Sequence, residues 1–302
     1  MNKIIVVGSI NNDLIISTDK FPQIGETITG NGFMSVAGGK GANQAVAAAR
    51  LAGDTQQVSF IGAVGDDIFG QELKRSLATN GINTDFVKTM EDTPTGTAVI
   101  VLYKGDNMII LDPGANYHVT PEWIQQAEEK ISEANILITQ LEIPYESAAT
   151  ALQLAKQHGL TTILDPAPAV KLDDDILSNV DIITPNESEA EIITGIKINS
   201  PEDAKAAAKW LLDKGIKYAI VTLGSQGVVY NSENEIIHKP AKKVNVVDTT
   251  SAGDSFTGAI AVALNEGKDI DTAIDFAIHV SSLVVQKKGA QPSLPYRKDI
   301  QL

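Results

Sequence analysis

Short runs of β-branched and other apolar residues alternate with longer amphipathic segments along most of the chain, and no other feature narrows the possible folds as much. The runs are KIIVVGSI, QVSFIGAVG, NILITQLE, TTILDPAP, VDIITPNE and KYAIVTLGS. Between them stand NQAVAAARLAG, FGQELKRSLATNG, YESAATALQLAKQHG and PEDAKAAAKWLLDKG. Their helical periodicity stops near Gly53, Gly81, Gly159 and Gly215, and a glycine after the last periodic residue is a helix stop signal. Strands separated by helices form βαβ units. The predicted class is therefore α/β, a largely parallel, Rossmann-like sheet covered by helices on both faces.

Two stretches break the alternation. GETITGNGFMSVAGG and TGTAVIVLYKGDNMIILD read as hairpin-like strands, the second turning around Gly105-Asp106, and neither is followed by a helix. They predict a small antiparallel β lid, formed by segments within about 14–37 and 95–112 and inserted into a single domain over residues 1–302.

The formal charge of −14 repels phosphate backbones and anionic membrane surfaces, so neither nucleic acid nor membrane is an expected partner. A local basic pocket for a small anion is compatible with it. No run approaches the ~18 apolar residues that span a bilayer. The start MNKIIVVGSINNDL reads as a buried strand rather than a signal peptide, which makes the cytoplasm the default location. With no cysteine, a disulfide framework, a thiolate zinc site and a cysteine nucleophile are excluded.

In an open α/β sheet, ligands bind beyond the carboxyl ends of the strands. Polar residues gather at those ends here: Asn11 and Asp13 after the first run, Glu142 after ILITQL, Asn186 and Glu189 after DIIT, Gly224 after AIVT. Singly each reads as a turn or cap residue; their repetition favours a site. AGGKGANQ, Ala37 to Gln44, reads as a glycine-rich loop before a helix. It is neither a Walker A loop, since Gly41 follows Lys40, nor a dinucleotide fingerprint, since Gln44 stands where the third glycine would fall. Lys40 and Asn43 can bond hydroxyls or phosphate oxygens there. His118, His158, His238 and His279 have no metal-binding spacing, and no G-x-S-x-G elbow occurs.

DTTSAGDSFTGAIAVAL places Gly253 and Asp254 where an apolar helix begins. Two readings stand: Ser251 or Asp254 caps the helix, or its free N–H groups and dipole receive an anion, with the Asp254 carboxylate beside it.

Together GGKGANQAVAAARLAG, ITPNESEAEIITG, VTLGSQGVVY and VDTTSAGDSFTGA resemble the ribokinase (PfkB) family of carbohydrate kinases, in order and over essentially the whole chain. The resemblance implies a ribokinase-like fold and ATP-dependent phosphorylation of D-ribose at its 5-hydroxyl. By motif position, Asn11, Asp13, Gly39, Lys40, Asn43 and Glu142 would hold the sugar. Asp254 would bind it and act as base, with Ala252 and Gly253 as an anion hole. Asn186, Thr222, Gly224, Ser225, Gly227 and Gly253 would bind the nucleotide, and Glu189 a magnesium ion through water. Asp248, Thr250, Val284, Lys287, Gly289 and Ser293 would hold potassium, mostly by carbonyl groups. The sequence departs from the family at Ile278, where Asn or His often stands near the nucleotide. The lid strands would join a homodimer and cover the sugar. Other sugar or nucleoside acceptors, and a silent sugar-binding regulator, are the alternatives.

Overall fold

A computed structural model describes residues 2–104, 106–233 and 235–300; the turn residue Gly105 lies outside them. The first part of the chain forms β1 (Asn2–Val7), β2 (Asn11–Thr18), β3 (Gly30–Gly38), α1 (Lys40–Ala52), β4 (Gln56–Gly65), α2 (Ile68–Thr79), β5 (Ile82–Met90), β6 (Gly96–Tyr103) and β7 (Asp106–Asp112). A 3-10 turn (Gly114–His118) leads to α3 (Pro121–Gln126), α4 (Glu128–Ser132), β8 (Ile136–Thr139), α5 (Tyr145–Gln157), β9 (Thr161–Leu164), α6 (Asp174–Leu177) and β10 (Ile182–Ile183). The remainder forms α7 (Glu187–Thr194), α8 (Pro201–Asp213), β11 (Tyr218–Thr222), β12 (Val228–Ser232), β13 (Glu235–Lys239), α9 (Ala252–Asn265) and α10 (Ile270–Val284).

The large sheet has the order β13-β12-β11-β10-β9-β8-β1-β4-β5. All neighbours pair in parallel except β12, which is antiparallel to β11 and β13. Its strands read as continuous apolar runs because both faces are covered. In β1, Ile4 and Val6 join the core beneath α1, α9 and α10, whereas Ile5 and Val7 join the core beneath α5 and α8. Each such side chain, fully buried, contributes about 1.5–3 kcal/mol. The chain leaves β1 for β4 on one side and β8 on the other, so the crevice for a ligand opens at the carboxyl ends of β1 and β8.

A second sheet has the order β3-β2-β6-β7, antiparallel at its outer pairs and parallel between β2 and β6. The sequence reading differs here. Gly25 to Thr29 form no strand, and β3 pairs with Asn11–Thr18 rather than folding back on itself. Asn11, Asn12 and Asp13 interrupt the apolar alternation that identifies a strand, and so β2 went unread. All four strands are rooted at a narrow waist. Asn11 lies opposite Gly38 on one side and Gly96 on the other. Any side chain at Gly96 would collide with Asn11 and Asn116, hence a residue without Cβ. Asn116 is buried; it accepts the Ile10 N–H at 2.9 Å and donates to Asn11 Oδ1 at 2.7 Å, locking the root to the end of β1.

Candidate active site

The stretch read as a glycine-rich loop is largely helix. Gly39 (φ 87°) is the N-cap and α1 begins at Lys40. Composition suggested a flexible loop, but the glycine at 41 serves close approach: a Cβ there would stand 2.6 Å from Ser9 N. The helix start is closed by protein groups. The N–H of Lys40 donates to Glu142 Oε2 at 3.1 Å, that of Gly41 to Ser9 Oγ at 3.3 Å, and that of Ala42 to the Ser9 carbonyl at 2.9 Å. Its dipole is already answered by the Glu142 carboxylate.

The start of α9 is built the other way. Ser251 takes a left-handed conformation (φ 59°) and makes no side-chain cap. The Ala252 N–H donates to the Thr249 carbonyl at 3.2 Å, while those of Gly253 and Asp254 have no acceptor among the described residues. A Cβ at Gly253 would meet no atom within 4 Å. Asp254 does not cap either. It is buried, its Oδ2 accepting from Asn43 Nδ2 at 3.0 Å and its Oδ1 from Gln44 Nε2 at 3.3 Å. Open N–H groups, helix dipole and empty space together suit an anion, with a carboxylate beside it.

Four carboxylates, Glu142, Asp165, Glu189 and Asp254, surround Lys40, and Asp13 stands near Glu142 and Asp254. Burial alone would lower the lysine, but Asp165, Asp254, Glu142 and Glu189 hold it well above its ordinary value. Its ammonium forms no ion pair among the described residues, leaving its donors for a ligand. Burial pushes Asp13 up to about 7, helped by the negative charges of Glu142 and Asp254. Burial likewise raises Asp254, against the opposing pull of Lys40 and the Asn43 hydrogen bond. Asn11 gives its Oδ1 to Asn116, which turns its Nδ2 toward Glu142 Oε2, 3.5 Å away.

Asp165 was missed by the sequence reading. It is pushed up to about 8 by burial, against Lys40, and accepts from Gln44 Nε2 at 2.7 Å. Ending the run TTILD, it satisfies the same strand-end rule that found Glu142. Gln44 and Asn116 were missed as well, and neither carried a comparable signal.

Of the residues expected to bind the nucleotide, Asn186 and Thr222 form a parallel bridge between adjacent strand ends, with Gly224, Ser225 and Gly227 in the turn that follows. Asn186 and Glu189 form a capping box on α7: Asn186 Oδ1 accepts from Glu189 N at 2.9 Å, and Glu189 Oε2 from Asn186 N at 2.8 Å. Burial raises Glu189, against the opposing hydrogen bonds from Asn186 and the charge of Lys40. Ile278 packs partly buried against the apolar core, beside His279, whose Nδ1 lies 2.6 Å from Lys242 Nζ.

The segments read as a cation site lie against each other. The N–H groups of Val247 and Asp248 both donate to the Val285 carbonyl. Asp248 Oδ1 accepts from Thr250 N at 2.9 Å and Oγ1 at 2.6 Å, its Oδ2 from Gly289 N at 2.8 Å. Burial opposes ionisation, yet these hydrogen bonds hold Asp248 below its usual range. The carbonyl of Val284 accepts from Lys287 N at 3.0 Å, and the Ser293 hydroxyl donates to the Ala290 carbonyl at 2.7 Å.

Residues 1–297 match the model of a family described as pfkB family carbohydrate kinase. The ribokinase of Schizosaccharomyces pombe is 44% identical over 304 residues, covering 98% of this chain and 95% of its own. That of Haemophilus influenzae is 42% identical over 295 residues, covering 97% and 95%. The solved structure of Arabidopsis thaliana ribokinase complexed with ribose and ATP matches with a TM-score of 0.91 at 36% identity, over 98% of this chain and 96% of that one.

Proposed function

The chain belongs to the pfkB family of carbohydrate kinases, and on that premise we propose that it transfers the γ-phosphoryl group of ATP to the 5-hydroxyl of D-ribose. The products are D-ribose 5-phosphate and ADP. One observation carries the reading: α9 presents open N–H groups at Gly253 and Asp254 beside a buried carboxylate, while the neighbouring α1 start is closed. The open groups stabilise charge on the phosphoryl group in flight, together with the Ala252 N–H if the Thr249 bond yields. Asp254 accepts the hydroxyl proton as the new O–P bond forms, and burial makes its carboxylate more basic than an exposed one.

Asn11, Asp13, Gly39, Lys40, Asn43 and Glu142 bind the sugar beneath the lid. Asn186, Thr222, Gly224, Ser225 and Gly227 bind the nucleotide. Glu189, a carboxylate held in the first turn of α7, fits a hydrated magnesium ion, and no three His, Cys, Asp or Glu among the described residues converge as a protein-only cage would need. When bound, that ion neutralises the polyphosphate, so that an acidic protein accepts an anionic co-substrate. Asp248, Thr250, Val284, Lys287, Gly289 and Ser293 supply oxygen atoms suited to a potassium ion; the carboxylate at 248 already joins both segments. A homodimer through the lid is supported by the exposed run Met108 to Leu111 on the edge strand β7.

A coupled assay of ADP release over ribose, 2-deoxyribose, fructose and nucleosides, with product identification, tests the reading. ADP formation that needs both ATP and ribose and yields the 5-phosphate is expected. Faster turnover of another acceptor reassigns the sugar, and no acceptor-dependent ADP at all overturns the activity.

A further inference from the structure

We infer that Gln44 positions Asp254 for proton acceptance, and that Gln140 holds Gln44 to that task. The inference rests on the kinase reading above. Gln44 is fully buried and so acts through its neighbours rather than by touching a substrate. Its Oε1 accepts from Gln140 Nε2 at 2.6 Å, which fixes the amide. The Nε2 then faces two carboxylates, Asp165 Oδ2 at 2.7 Å and Asp254 Oδ1 at 3.3 Å. A turned amide would set a carbonyl oxygen against both carboxylates, so the orientation is strongly preferred.

Asn43, the preceding residue of α1, binds the other oxygen of Asp254 at 3.0 Å. Consecutive side chains of one helix thus hold both oxygens of the base on another helix. The charged groups facing that base are Lys40 of α1, Asp13 of β2, Glu142 after β8, Asp165 after β9 and Glu189 of α7. The Gln44 amide shares its donors between Asp165 and Asp254 and favours the ionised form of each.

The test compares wild type, Gln44→Met and Gln140→Met for kcat, ribose KM, the pH profile of kcat, and calorimetric ribose binding. Wild type is measured first: absence of ribose-dependent ADP release refutes the kinase reading, independently of the variants. With that reading intact, Gln44→Met should lower kcat by roughly 10- to 100-fold and leave ribose KM within about 3-fold. Its acid limb should move to higher pH, because the carboxylate has lost a donor. Gln140→Met should shift both in the same direction by less, since it only frees the amide to turn. A folded Gln44→Met with unchanged kcat and acid limb overturns the inference. So does a fall in kcat with a lower melting temperature and an unmoved acid limb, the mark of a purely structural residue. Should Gln44→Met fail to fold, Gln140→Met decides by the same criteria.

Discussion

At the scale of the residue, the proposed chemistry turns on Asp254 and on the space in front of Gly253. Asp254→Asn keeps the shape of the side chain but cannot take a proton, so kcat should fall by at least ~10³-fold while calorimetric ribose affinity changes little. Gly253→Ala separates stability from activity. The added methyl meets no protein atom and removes a helix glycine, which should raise stability by about 0.5–1 kcal/mol while its bulk blocks the phosphoryl position and lowers kcat. Thermal unfolding and turnover of the same preparation check both halves. Asp13 gives a pH signature. It ionises at about 7 in the fold against an ordinary value of 3.8, so between those values the native state holds the extra proton and stability falls as pH rises. Asp13→Asn should therefore gain on wild type from about pH 5 to 7, by up to ~1.4 kcal/mol per unit, in ligand-free unfolding curves. Most of these residues were legible because an open sheet presents the residues that follow its strands. Gln44 and Asn116 were not: they act through another side chain, and only packing reveals the partner.

At the scale of the element, two helix starts beside one another have opposite roles, and composition alone does not distinguish them. Glycines occur at both. At α1 they bring the helix against the end of β1, and protein groups consume its N–H donors. At α9 the donors face open space. The sequence could mark each segment as unusual, but the occupant of each N–H depends on Ser9 and Glu142, which come from distant parts of the chain. The turn before α9 is braced by Asp248, whose oxygens reach Thr250 and Gly289. Dialysed enzyme at constant ionic strength should be several-fold more active in potassium than in sodium or a bulky organic cation. Asp248→Ala should abolish that preference; equal rates in all three salts would remove the proposed cation site.

At the scale of the whole molecule, the parallel sheet was legible from its continuous apolar runs, whereas the small sheet's pairing was not, because β2 opens with the polar residues Asn11, Asn12 and Asp13 where a strand should alternate. The edge strand β7 exposes Met108, Ile109, Ile110 and Leu111, and a lid-to-lid homodimer would bury them. Sedimentation at assay concentrations should find a dimer, and Ile110→Lys should shift it toward monomer with weaker ribose capture; a wild-type monomer refutes the association. The waist at Asn11, Gly38, Gly96 and Asn116 has a consequence for inheritance. All four strands of the small sheet begin or end at or near that waist. On the proposed reading, strands lengthened or exchanged beyond Asp13 would change what the small sheet covers while leaving Asp13 and α9 in place. Substitutions confined to the outer ends of those strands would then be the ones a lineage could accumulate without losing phosphoryl transfer.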